Sequence, residues 1–181
     1  MEKVLVSLVY SSIKRREYMK SKIRKSKYKN CLEIELNKGE WAIVDKEIYP
    51  RIENHKWSLL SKGYAVRKEK GITILLHREI KGFPEGMEID HINGNRLDNR
   101  LINLRVCTLR ENRINSKPRN GKYKGIWFKK DGKRIRRWIA GVSIKGKMNL
   151  LGSFLTKEEA ILAYNEGAKK YFGEFAKLNI L

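Results

Sequence analysis

Cysteine is scarce in this 181-residue chain. The two present, Cys31 and Cys107, are too few and too far apart to build a disulfide framework or a zinc ribbon, and a reducing compartment is expected. Long apolar runs are missing as well: nothing approaches the ~20 consecutive apolar residues of a membrane span. The short run in "MEKVLVSLVY" lacks the basic flank and small-residue cleavage site of a secretory signal. A soluble, cytoplasmic protein with no membrane partner is therefore expected. Acidic residues are the third shortage, 20 Asp and Glu against 41 Lys and Arg, for a formal charge of +21. That exceeds what solubility requires and points to a polyanion. The basic residues run along the whole chain among Trp, Tyr and Asn rather than forming one anchor beside an apolar helix, which favours nucleic acid over a lipid surface.

The chain is long enough for two small domains. Residues 1–30 carry ten Lys or Arg against Glu2 and Glu17, and are expected to form a basic arm, either a helix docked on phosphates or a solvated tail. From residue 31 the texture changes to short alternating runs, "CLEIEL", "WAIVD", "GYAVRK" and "ITILLHREI", the last two reading as a hairpin about a Gly-bearing turn. Trp57 and Tyr64 read as core aromatics of this small sheet, and His55 beside Trp57 as structural. Thr108 with Glu111 three positions on is a capping box, so a helix is expected to start there. The polar "NSKPRNGK" (115–122) reads as a linker.

Beyond it, "YKGIWFKK", "RIRRWIAGVSI" and "NLLGSF" read as three strands, and Thr156 with Glu159 is a second capping box. The helix it opens carries a stripe of Ala160, Ala163, Tyr164, Gly167, Ala168 and Tyr171, with Gly173 suited to its C-terminal cap. The expected architecture is thus α+β, with domains at 31–117 and 118–181 behind the 1–30 arm.

Histidine is also rare, three in all, and His91 directly follows Asp90 at the mouth of an Asn-rich loop, "IDHINGNRLDNRLINLR". An imidazole takes a proton near neutral pH, and a carboxylate is a hard oxygen ligand for Mg²⁺. A general base beside a cation site is what phosphodiester hydrolysis requires. Neighbouring strand residues point to opposite faces, so the pair needs a twist or loop edge to serve one phosphate, and Gly94 supplies it. Asn112, in the first turns of the helix opened by Thr108, is the expected second metal ligand. Asn95, Asp98 and Asn99 read as turn formers. An EF-hand calcium loop is excluded, because the Gly arrives one place early and Leu101 stands at position 12.

Residues 76–115, "LHREIKGFPEGMEIDHINGNRLDNRLINLRVCTLRENRIN", resemble the HNH homing-endonuclease family. The resemblance implies a ββα-metal fold and a divalent cation, Mg²⁺ with Mn²⁺ as an alternative. It implies His91 as general base, Asp90 and Asn112 as metal ligands, and Asn103 of "NLR" as the catalytic-loop brace. His77 of "LHR" matches a position that is commonly His in relatives, with no role assigned. The substrate implied is double-stranded DNA, cut one strand at a time by a monomer inside a phage or bacterial host cell. The competing reading is a DNA-binding regulator whose nuclease module is inactive.

Residues 123–179 resemble the ethylene-response-factor (Apetala-type) DNA-binding domain, three antiparallel strands packed on one helix. By parity, Trp138, Ala140, Val142 and Ile144 take the helix and the other face of the sheet is left outward. Trp127, Lys129, Arg137, Ser143 and Lys145 are its expected DNA-binding residues. Gly141, Ser143, Met148 and Leu150 stand where the plant pattern has Arg, Glu and Trp, so the plant target is not implied.

Overall fold

A computed structural model describes residues 20–118, 122–129 and 137–181. The first part of the expected arm, residues 119–121 of the polar stretch and the start of the "RIRR" strand lie outside the described residues. The chain divides into two compact units, one ending at Val106 and one running from Cys107 to Leu181. Among the described residues no helix is long and apolar enough to cross a membrane.

The first unit is built from short strands. β1 (Ile23–Lys25), β2 (Cys31–Glu35) and β3 (Trp41–Asp45) form an antiparallel sheet in that order. Residues 20–30 are therefore not wholly an arm: Ile23 pairs with Ile34 and Arg24 with Glu33. The alternation of "CLEIEL" and "WAIVD" puts Ile34, Leu36, Ala42 and Val44 inward. α1 (Tyr49–Ile52) leads to Trp57, which is 2% exposed and donates its indole N–H to Ile52 O at 3.2 Å.

β4 (Ser58–Leu59), β5 (Ala65–Glu69) and β6 (Ile72–Leu75) form a second sheet, with the expected hairpin turning at Lys70 and Gly71. The strand ends sooner than "ITILLHREI" suggested. Leu76–Ile80 is a short helix, α2, because Leu76, His77 and Ile80 bury one face that a strand could not present together. β7 (Glu88–His91) and β8 (Leu104–Cys107) form a two-stranded ladder around the Asn-rich loop.

In the second unit Thr108 and Glu111 make the capping box that opens α3 (Leu109–Asn115). The division falls ahead of the expected 117/118 boundary because α3 packs with the C-terminal 3₁₀ turn Gly173–Phe175 and is gripped at its far end. There the Lys124 ammonium donates to the carbonyls of Ile114, Ser116 (2.8 Å) and Arg113 (3.4 Å). β9 (Ile126–Lys129), β10 (Arg137–Ile144) and β11 (Lys147–Phe154) form an antiparallel sheet with β10 central. α4 (Lys157–Phe172), opened by the Thr156–Glu159 capping box, covers one face through Ala160, Tyr164 and Ala168 against Ala140 and Val142. Ile161 is buried on this helix while Tyr171 is exposed, a shift of the expected stripe by part of a turn. Gly125 is required: at φ +64° any Cβ would overlap the Tyr164 ring and lie 2.5 Å from Gly141 O.

Candidate active site

β7 delivers Asp90 and His91 at its C-terminal end, 6% and 5% exposed. As neighbours on a strand they project to opposite faces, and each finds a different partner. Asp90 Oδ2 accepts from Arg105 of β8 twice, from Nε at 3.0 Å and Nη2 at 2.7 Å. His91 Nε2 faces Asn99 Oδ1 at 3.2 Å, while Asn99 Nδ2 donates to Arg96 O at 3.4 Å. With the amide in that orientation its oxygen must accept, so the imidazole proton sits on Nε2 and the basic lone pair belongs to Nδ1.

A second imidazole lies beside the first. The His77 ring, buried on α2, meets His91 edge-on with centroids 5.0 Å apart, and Tyr64 packs on both at 5.2 and 6.1 Å. Tyr64 is thus a packing partner of both imidazoles rather than a plain core aromatic, and the Arg96 guanidinium covers its ring at 4.6 Å. Burial pushes the His77 pKa down to about 3, with His91 and Arg78 adding to the effect. His91 is also lowered by burial, against the Asn99 bond and the Asp90 and Asp98 charges, which pull it up. Both rings are therefore neutral at pH 7, the state in which an imidazole accepts a proton.

The loop between β7 and β8 is held from two sides. Gly94, at φ +74°, donates to His91 O at 2.8 Å and turns the chain. Asn103 spans the loop from within, accepting from Asn93 N at 2.9 Å and donating to Asp98 O at 2.7 Å. From outside, β3 acts as a template: Ile43 N donates to Leu97 O, Asn99 N to Ile43 O, and Leu101 N to Asp45 Oδ2 at 2.6 Å. Buried Asp98 takes both arms of Arg100 at 2.7 Å, and Arg100 lies 3.6 Å over the Tyr28 ring. Burial alone would raise the Asp98 carboxyl, but Arg100 overrides it and holds the pKa below the ordinary range.

Asp98 and Asn99 are therefore more than turn formers. Both are fully buried, one anchoring the loop and the other fixing the His91 tautomer. Sequence reasoning missed them, along with Arg105. The spacing of Asp98 and Arg100 was a usable sign, since an acid and a base two apart in a non-periodic loop suit a local pair. Nothing local distinguished Asn99 from its neighbours. Asn112 lies half-buried on α3, in the second unit, its N–H bonded to Thr108 O at 3.0 Å. Trp127, Lys129, Arg137, Ser143 and Lys145 are exposed on or beside the second unit's sheet.

Among the described residues no three His, Cys, Asp or Glu side chains gather as a metal cage. The oxygen donor at hand is Asp90, a carboxylate already oriented by Arg105. A carboxylate is a fitting donor for a divalent cation that completes its shell with substrate phosphate and water.

The HNH endonuclease family model matches residues 76–114, which takes in His77, Asp90, His91, Asn99, Asn103, Arg105 and Asn112. A protein of Acanthamoeba polyphaga mimivirus named as an uncharacterized HNH endonuclease is 32% identical over 150 residues, covering 78% of this chain and 76% of the relative. No solved structure matches. The likeness thus extends far beyond the loop and its two strands, and the chain belongs to the HNH endonuclease family, a family of metal-using nucleases.

Proposed function

We propose that the chain is a homing-type endonuclease that hydrolyses one strand of duplex DNA per active site. His91 is the general base. Its neutral ring, with the proton pinned on Nε2 by Asn99, takes a proton from water at Nδ1 as the oxygen attacks phosphorus. Asp90, steadied by Arg105, supplies the carboxylate of a divalent cation site, Mg²⁺ or Mn²⁺. When bound, such a cation neutralises charge on the phosphate and on the departing 3′ oxygen. Asn103 keeps the loop, and with it the base, in register. His77 and Tyr64 dry and wall the imidazole pocket, and His77, neutral throughout the working pH range, adds no competing charge. The products are a 5′ phosphate and a 3′ hydroxyl.

The second unit is the DNA-binding module of this reading, ethylene-response-factor-like in resemblance. Its outward sheet face carries Trp127, Lys129, Arg137, Ser143 and Lys145. A monomer with one base and one cation site acts on one strand, inside a host cell whose DNA is the target.

The observation that carries the reading is the buried, tautomer-fixed imidazole one residue along β7 from an oriented carboxylate whose charge reaches it. The test is conversion of supercoiled plasmid to the open circle. Wild type should nick with Mg²⁺ and not with EDTA, while His91→Ala and Asp90→Ala should lose nicking and still bind DNA. Nicking by His91→Ala at the wild-type rate refutes the assignment.

A further inference from the structure

The outer face of the β9–β10–β11 sheet is not the plain basic surface its strand ends suggest. Ala140 and Val142 face α4, so Ile139, Gly141 and Ser143 face away from it. On β11 the register places Met148 beside Ser143 and Leu150 beside Gly141. A bulge follows, and Leu151 turns back onto the helix, where its side chain meets Gly167. Met148 and Leu150 are left 57% and 68% exposed, and Trp127 is 37% exposed. They converge on the glycine: a Cβ at Gly141 would lie 3.0 Å from Met148 Sδ and 3.1 Å from Trp127 Cη2. The result is a shallow apolar seat floored by bare backbone.

Cations flank it. Lys129 pairs with Arg137 at one end of β10, and Lys145 stands in the β10–β11 turn at the other. From Ile139 to Ser143 the strand advances about 13 Å, close to the ~12 Å width of the DNA major groove. An apolar strip of that width with cations beyond each end is complementary to a groove floor between two phosphate walls. A second copy of the chain would bring the same cations against these, on a protein already at +21.

We propose that this face recognises thymine methyl groups in the major groove of duplex DNA. The proposal rests on the second unit being the DNA-binding module. Trp127, Met148 and Leu150 around Gly141 seat the methyls, while Lys129, Arg137 and Lys145 hold phosphates on either side. Thymine alone among the four bases places a methyl group in that groove, and apolar side chains are its natural contacts.

The probe is a set of duplexes enriched from a random pool by the full-length His91→Ala chain in EDTA, so that binding is read without cleavage. Each enriched duplex is then remade with uracil in place of thymine. Uracil should weaken binding by about fourfold for each contacted methyl, the factor that corresponds to about 0.8 kcal/mol of apolar burial. Met148→Gln with Leu150→Gln should bind thymine and uracil duplexes alike with an unchanged salt slope. Lys129→Gln with Arg137→Gln should weaken both equally and flatten that slope.

Equal binding of thymine and uracil duplexes by the parent chain overturns the proposal. So does a preference that survives in the polar double variant, or a dimer in sedimentation that the polar double variant dissolves. If the cation variants leave binding and salt slope untouched, the sheet is not the DNA surface, and that part of the functional reading falls with the proposal while nicking through His91 stands.

Discussion

Acid should weaken the first unit, and the buried ring of His77 carries a measurable share of the loss. His77 is 5% exposed on α2, and its pKa in the fold is about 3 against an ordinary 6.5. Because the folded value lies below the unfolded one, the unfolded chain binds the extra proton between the two. Stability is thus fully present above pH 6.5 and is lost as pH falls toward 3. At about 1.36 kcal/mol for each pH unit, the loss is about 2 kcal/mol by pH 5 and approaches about 5 kcal/mol near pH 3. Set against a total of roughly 5–15 kcal/mol for a folded domain, the effect is large enough to read directly. Urea unfolding followed by tryptophan fluorescence at pH 7, 6, 5 and 4 should show wild-type midpoints falling faster than those of His77→Gln, which has no proton to gain. The lowered His91 and Asp98 act in the same direction in both proteins, so the difference between the two curves isolates His77. Parallel curves between pH 6.5 and 4 would refute the reasoning.

Other perturbations separate the structural roles. Asn99→Ala removes the acceptor that fixes the His91 tautomer and should lower nicking by about 10- to 100-fold; it should also move the acid limb of the pH–rate profile down, whereas Asn99→Asp should move it up, as stopped-time plasmid assays at several pH values would record. Asp98→Ala strands a half-buried Arg100 and should destabilise the first unit by about 3–5 kcal/mol in chemical denaturation, with no change in the second. Gly125→Ala should do the reverse, since its Cβ overlaps the Tyr164 ring at a positive φ; loss of the second unit's thermal transition with an intact first one is the expected result.

Much of this was legible because it is local. Both capping boxes, the Lys70–Gly71 hairpin and the parity of β10 depend on residues within a few positions of one another. The Asp90–His91 pair stood out for a similar reason, a rare residue type next to a hard ligand at the edge of a loop. What could not be read came from partners far along the chain. Asn99 is placed by Ile43 O, and Leu101 by Asp45, on a strand that carries no mark of that task. His77 next to His91 depends on a short helix where a strand was expected, and helix against strand for so brief an apolar run is settled by tertiary burial rather than by periodicity.

The same distinction bears on how the site is kept in order. A loop carrying Asn93, Gly94, Asn95, Asp98 and Asn99 has little intrinsic reason to hold one conformation, and a mobile base would be aligned with a scissile phosphate only part of the time. Here β3 lends its edge to the loop, through the Ile43–Asp98 bridge and the Asp45 carboxylate, so that a segment without secondary structure is held by a regular strand. The order of the imidazole thus comes from the neighbouring sheet rather than from the loop that bears its name in the sequence. That is why the Asp98–Arg100 pair, which touches no reacting atom, sits at the centre of the loop: it joins the turn that contains Asn99 to the sheet side through Tyr28. The 76–114 segment by itself would keep every residue of the family pattern and lose the strand that holds His91 in place.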